Sequence, residues 1–236
     1  MAGKGSRFKD AGISCPKHEV IVDDRPMFDW AMQSLKSFYD DEFVFITQAA
    51  DSPSEFLAER CETLGIDRYE EVTLTEYTDG QASTALAADD SINDSQSVAI
   101  FNIDTYVEEG KLSPEIIKGD GFIPVFETTG ERWSFVKEDS KGNVVSVSEK
   151  EKISDLATVG FYYFDQWSYF ADAYAEIASE TKSKYGETYV APLYNSLIDS
   201  GESVETHCLD ESAVHVLGTP QDLCSFYPEF DPNNHP

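Results

Sequence analysis

The residues with the clearest chemical meaning stand at the start of the chain. MAGKGSRF places Gly3 and Gly5 around Lys4 and follows them with Ser6 and Arg7. Glycine lets a backbone turn tightly and present consecutive N–H groups with no Cβ in the way. That makes a nest for phosphate oxygens, and neighbouring Lys and Arg balance the charge. The string is neither the GxxxxGKS/T loop nor GxGxxG, because Phe8 follows Arg7 and the next glycine is Gly12. Pro16-Lys17 adds another cation on a stiffened stretch. Farther along, SVAIFNID ends an apolar run in a carboxylate, Asp104, expected on the same side of the strand as Asn102. In an open α/β sheet ligands bind at the carboxyl ends of strands, and a carboxylate there suits a hard Mg²⁺ ion bridging phosphates.

These groups need elements to hold them. Apolar runs bounded by turn residues predict strands at 42–47, 70–75, 97–103, 120–127, 132–138, 143–149 and 157–164, with another near 203–209. Helical periodicity fits 26–38, 52–65, 81–90, 165–182 and 188–200, with Met27, Trp30 and Leu35 as core positions. Strands and helices alternate over 20–104, which implies a largely parallel sheet covered by helices. The strand-rich stretch 120–164 reads as an antiparallel extension. The fold class is therefore α/β, and the 236 residues, 41% of them hydrophobic, suffice for a real core.

Charge narrows the partners. Against 45 Asp and Glu the chain has 17 Lys and Arg, a formal charge of −28 that repels nucleic acid and anionic lipid. Residues 1–18 nevertheless carry a net +3 and the remainder −31, so an anionic ligand would be accepted at the amino end. An acidic coat on a chain with 15 Phe and 12 Tyr suggests a protein adapted to high salt, more stable as KCl is added. No apolar window is long enough for a membrane span, and scattered Cys15, Cys61, Cys208 and Cys224 without CxxC spacing point to a reducing compartment. The expectation is a cytoplasmic protein with no membrane insertion and no metal-thiolate site.

MAGKGSRF followed by PKHEVIVDDRPMFDWAMQSL resembles the opening of the sugar-nucleotide pyrophosphorylases, the sugar-phosphate nucleotidyltransferases. The likeness runs nearly end to end. TDGQASTAL is similar to the segment whose glycine, here Gly80, lies against the nucleobase, and FNIDTYV to the strand that delivers the metal-binding aspartate, here Asp104. VSEKEKIS resembles the family's EKP motif, with Glu149 and Lys150 at the sugar phosphate, although Glu151 stands where proline is usual. ATVGFYYFD resembles the next strand, with Val159 and Gly160 beside the sugar; VLGTPQDL resembles the closing GTPEDL, and YVAPLYNSLI a segment of capsule-biosynthesis relatives.

The resemblance implies a Rossmann-like α/β/α sandwich with a mixed, mostly parallel sheet, in a single domain whose residues 1–104 bind nucleotide and 105–236 sugar phosphate. It implies a Mg²⁺-dependent enzyme that joins a nucleoside triphosphate to a sugar 1-phosphate, or a related phosphorylated alcohol, and releases pyrophosphate for surface polysaccharide or glycoconjugate synthesis. Ala2, Gly3, Lys4, Gly5, Ser6 and Arg7 would hold the triphosphate, with Arg7 drawing charge from the pyrophosphate. Lys17 would stabilise the α-phosphate, Lys150 would aim the incoming phosphate, and Asp104 would anchor the metal. No general base is needed, since a phosphate monoester is already an anionic nucleophile.

Two departures stand out. Many relatives have a second metal-binding aspartate two residues before the glycine of GTPEDL, where this chain has Val216, so His215 or Asp210 would have to move in or one carboxylate suffice. A binding protein of the same fold without turnover is the alternative reading. The family also sets a short apolar strand ahead of the glycine loop, whereas this sequence starts with the loop. The first strand is therefore expected to lie upstream of Met1, because its absence would leave neighbouring strands with unpaired backbone groups at ~1–3 kcal/mol each.

Overall fold

The computed structural model describes residues 1–232. In chain order its elements are α1 (Ser6–Asp10), β1 (Ile21–Val22), β2 (Arg25–Pro26), α2 (Met27–Ser34), β3 (Phe43–Gln48), α3 (Ser54–Leu64), β4 (Tyr69–Leu74), α4 (Gln81–Leu86), β5 (Val98–Phe101) and β6 (Thr105–Val107). They continue with β7 (Gly121–Glu127), β8 (Ser134–Glu138), β9 (Val144–Glu149), β10 (Leu156–Thr158), β11 (Phe161–Phe164), α5 (Trp167–Tyr185), α6 (Tyr194–Ser200), β12 (Val204–Leu209), β13 (Val214–Val216) and α7 (Pro220–Phe226). The chain divides into two compact units.

The first unit comprises Met1–Tyr77, Asn102–Pro114 and the residues from Ser212 onward. Its β3 and β4 pair in parallel, joined by α3, as the alternation over this stretch predicts. Helix α2 buries Met27, Phe28, Trp30 and Ala31, the period expected of a core-facing helix, and stops at Leu35. The Trp30 indole N–H donates to the Val22 carbonyl at 3.0 Å, so its one polar group is satisfied. Buried Asp29 accepts a forked pair of bonds from Arg60 of α3 at 2.9 and 2.5 Å, which fixes that helix to α2. Phe8, Ile13, Val20, Leu217 and Leu223 complete this core, so the segment after the glycine loop and the segment near the chain's end share one apolar cluster.

The second unit, Thr78–Phe101 with Glu115–Glu211, is built on a seven-stranded sheet of order β5-β11-β7-β10-β8-β9, with β12 also on β7. Only β12 runs parallel to its neighbour; the other pairs are antiparallel. The sheet is mixed, as expected, but antiparallel pairs outnumber parallel ones, because β7 to β11 follow one another through short connections that only antiparallel strands permit. The run 157–164, expected as one strand, is broken at Gly160, whose φ of +83° ends β10 and lets β11 start. Tyr194 of α6 stacks on Phe164 at 4.6 Å, and its hydroxyl donates to the Tyr163 carbonyl at 2.8 Å, tying this helix to the sheet.

Candidate active site

The glycine loop is shaped from both of its ends. Gln48, at the carboxyl end of β3, donates its side-chain amide to the Ala2 carbonyl at 3.3 Å and to the Glu76 carbonyl at 3.2 Å, and Ala2 is buried. The Lys4 ammonium lies 5.6 Å from the Tyr77 ring. Gly5 has φ +60°, a left-handed conformation that a side chain resists, and α1 begins immediately after it. By helix geometry the amides of the first turn have no acceptor in their own helix, so those of Ser6 and Arg7 remain available to an anion. Gly3, Lys4, Ser6 and Arg7 are exposed.

Lys17 converges on this loop. A Cβ on Gly5 would stand 3.8 Å from the Lys17 Cβ, so the glycine and the lysine are in direct contact. The Lys17 ammonium donates to Asp104 Oδ2 at 2.7 Å across 87 residues of sequence, and it lies 5.5 Å from the Phe8 ring. Loss of water would raise the Asp104 pKa, but the charge and hydrogen bond of Lys17, then a backbone hydrogen bond and last the charge of Arg7, together outweigh it and hold the carboxyl below its usual range. Lys17 and Arg7 thus both act on Asp104 within the first unit.

Asp104 does not sit on a strand. β5 stops at Phe101, and Asp104 falls in a turn closed by the Thr105 amide on the Asn102 carbonyl at 3.3 Å, just before β6. The two-residue alternation that would pair it with Asn102 therefore ends three residues before it. The Leu217 amide donates to the Asp104 carbonyl at 2.8 Å, and a Cβ on Gly218 would stand 3.5 Å from Asp104 Oδ2. The carboxylate is held ionised and keeps partial solvent access, so it offers the anionic oxygen donor that a hard divalent metal takes. Among the described residues no group of three or more His, Cys, Asp or Glu could hold one.

Of the expected substitutes for the aspartate replaced by Val216, His215 is stacked on Tyr106 at 5.4 Å in the β6–β13 pair. Burial lowers its pKa, as for an imidazole serving as packing. Asp210 belongs to the second unit.

In the second unit Glu149 closes β9 and is buried, accepting a hydrogen bond from the Ser134 hydroxyl. Burial raises its pKa. Lys150 follows at φ +52° with its amide on the Trp133 carbonyl at 2.9 Å, and this left-handed step turns its side chain out of the strand alternation into solvent. Its ammonium donates to the Tyr189 hydroxyl at 2.5 Å and lies 3.8 Å from Glu149. Burial would lower the Lys150 pKa, but the Tyr189 and Glu149 partners leave it raised, so the ammonium stays charged. Val159 is buried with its amide on the Pro124 carbonyl at 3.1 Å, and Gly160 follows it.

Gly80 has a structural reason of its own. Its φ is +147°, and a Cβ there would stand 2.5 Å from both the amide nitrogen and the carbonyl oxygen of Thr188. The Ser83 and Thr188 hydroxyls, 3.0 Å apart, tie α4 to the same loop. Gln48 and Tyr189 are the two site neighbours that sequence reasoning missed; the only signal for Gln48 is a polar residue closing an apolar strand.

A family model described as nucleotidyl transferase matches residues 1–227. The chain belongs to the nucleotidyl transferase family. Among solved structures, this family member resembles a nucleoside-diphosphate-sugar pyrophosphorylase from Vibrio cholerae RC9 at TM-score 0.89 and 29% identity, over 97% of this chain and 98% of that one. An inositol-1-phosphate CTP transferase from T. maritima shares the fold at TM-score 0.73 and 14% identity, over 94% of this chain and 88% of that one. A putative glucose-1-phosphate thymidylyltransferase from Bacillus anthracis, in complex with a sucrose, shares it at TM-score 0.75 and 18% identity, over 98% and 94%. No curated protein matches the chain. No helix among the described residues is long and apolar enough to cross a membrane.

Proposed function

We infer that the protein joins a nucleoside triphosphate to a sugar 1-phosphate, or a related phosphorylated alcohol, and releases pyrophosphate. The observation that carries this reading is the meeting of the glycine loop, Lys17 and Asp104 in one unit, with the Lys17–Asp104 contact at 2.7 Å. Nucleotidyl transfer asks little covalent work of a protein; alignment and neutralisation of charge on the oxygens do most of it. The Vibrio relative's activity supports the sugar-nucleotide direction.

The roles follow from charge and position. Residues 2–6 hold the triphosphate by backbone amides, and Arg7 draws charge from the departing pyrophosphate. Lys17 steadies the α-phosphate, where bond order changes. Lys150, kept protonated beside Tyr189 and Glu149, holds the acceptor's phosphate, whose anionic oxygen needs no base. Gly80 keeps the base-side segment close to Thr188, and Val159 and Gly160 shape the sugar side. Asp104 would hold Mg²⁺, which when bound neutralises phosphate charge. The product serves surface polysaccharide or glycoconjugate synthesis.

The test is pyrophosphate release across four nucleoside triphosphates, each against a panel of phosphorylated sugars and alcohols, with Mg²⁺ in molar KCl. Release with at least one pair is expected. Triphosphate binding without release from any pair would favour a non-catalytic binding protein instead.

A further inference from the structure

We propose that Tyr189 is a positioning residue for the acceptor: its hydroxyl and ring hold the Lys150 ammonium off Glu149, so that the lysine meets the acceptor's phosphate with its charge uncancelled. The proposal rests on the reading of Lys150 as the cation that takes this phosphate, and it gives a role to the stretch YVAPLYNSLI, which the nucleotide side of the site leaves unexplained.

Lysines on so acidic a chain find carboxylates. In the second unit Lys152 stands 2.9 Å from Asp155, Lys182 2.6 Å from Asp79 and Lys184 3.0 Å from Glu151. Lys150 does not follow them. Glu149 and Glu187 attract it, yet its ammonium stops 3.8 Å from Glu149, beyond hydrogen-bonding distance. It donates instead to the Tyr189 hydroxyl at 2.5 Å and lies 4.5 Å from the centre of the same ring. A neutral oxygen and the face of a ring hold an ammonium without cancelling its charge. A phosphate arriving at Lys150 therefore has no ion pair to break first. Buried Glu149 has the Ser134 hydroxyl as its own hydrogen-bond donor and does not need the lysine for one.

Both members of the contact are fixed by their surroundings. Lys150 stands at φ +52°, a conformation that a side chain resists, with its amide on the Trp133 carbonyl at 2.9 Å. Tyr189 follows buried Thr188, whose amide donates to the Asp79 carbonyl at 2.9 Å and whose carbonyl accepts from the Ala82 amide at 3.0 Å. Farther along the same stretch, Asn195 grips β9 at the edge of the sheet: its side-chain oxygen accepts from the Val147 amide at 2.9 Å and its side-chain nitrogen donates to the Val147 carbonyl at 2.7 Å. The stretch thus holds the strand two residues before Glu149 and the lysine just after it. A tyrosine needed only for packing would bury its ring, whereas half-buried Tyr189 turns its hydroxyl to an exposed lysine.

The test is steady-state pyrophosphate release by the full chain, with Mg²⁺ in molar KCl, on the triphosphate and acceptor pair that the panel finds fastest. Tyr189→Phe keeps the ring and removes the hydroxyl, so its thermal midpoint should stay near wild type. Its KM for the acceptor should rise at least ~10-fold, while its KM for the triphosphate changes less than ~3-fold. Lys150→Ala should raise the acceptor KM at least as much. Tyr189→Gln and Tyr189→Glu differ only in charge, and the Glu variant should show the higher acceptor KM, because a carboxylate there cancels the lysine. An unchanged acceptor KM in Tyr189→Phe together with a rise in Lys150→Ala would overturn the role of Tyr189 and leave the reading of Lys150 standing. Unchanged values in both variants would remove both, and an equal rise in the two KM values with a large fall in the midpoint would reduce Tyr189 to a structural tie. If Tyr189→Phe does not fold, the Gln and Glu variants decide: equal acceptor KM values count against the proposal. No release from any pair by the wild type would overturn the reading of function and the proposal together.

Discussion

Replacing Lys17 by alanine separates catalysis from stability by magnitude. The Lys17–Asp104 pair is 2.7 Å long, with side chains 19% and 37% exposed, so it stands between a surface pair and a buried one. Surface pairs contribute ~0–1 kcal/mol, whereas breaking a fully buried pair costs ~3–5 kcal/mol. The solvent access of Asp104 places the loss near the lower range, at about 1 kcal/mol, which for a chain of this size lowers Tm by ~2–4 °C. If Lys17 steadies charge on the α-phosphate, its removal should slow turnover at least ~10²-fold, equivalent to ~2.7 kcal/mol of barrier. Pyrophosphate release, measured well below the thermal midpoint, should therefore collapse in Lys17→Ala while the melting curve moves only slightly. Asp104→Asn should behave alike. Wild-type turnover in Lys17→Ala would refute the assigned role, and a loss of activity that merely followed a large fall in Tm would reduce the pair to a structural tie.

Three further outcomes are expected. His18 is buried against Phe56 at 5.3 Å, its Nε2 has no hydrogen-bond partner, and burial lowers its pKa to about 4. The unfolded chain then takes up a proton first as pH falls, so stability should drop between about pH 6.5 and 4, by about 3 kcal/mol, and level off below; His18→Phe should abolish that part of the slope in denaturant titrations. Gly80→Ala should destabilise the protein by at least ~2 kcal/mol, read in urea unfolding, because its Cβ would overlap the Thr188 backbone, so a soluble variant with unchanged midpoint would contradict the packing described. Molar KCl should raise Tm relative to low salt, since a formal charge of −28 repels itself; a midpoint independent of salt would argue against the acidic coat as a salt adaptation.

Much of this could be read from the residues, and the failures share a cause. Longer elements with a clear period, such as α3, α5 and β7, appear where the apolar spacing puts them. The three-residue strands β6 and β13 are too short to show alternation, so their pairing through Tyr106 and His215 is invisible until the fold brings them together. Helix α7 did carry a local signal, a threonine followed three residues later by an acid, which is how Thr219 and Asp222 cap it. The tight turn of the glycine loop was legible because glycine spacing marks such a turn locally, and Gly5 does take a left-handed conformation just before α1. The supports were not: Gln48 beneath Ala2 and Tyr189 on Lys150 are long-range partners that leave no mark on spacing.

A crystal of the protein grown with a nucleoside triphosphate and Mn²⁺ tests the central claim most directly. The account predicts triphosphate oxygens on the amides of residues 3–6 and an anomalous manganese peak on Asp104. Triphosphate bound away from the loop, or manganese far from Asp104, would contradict it.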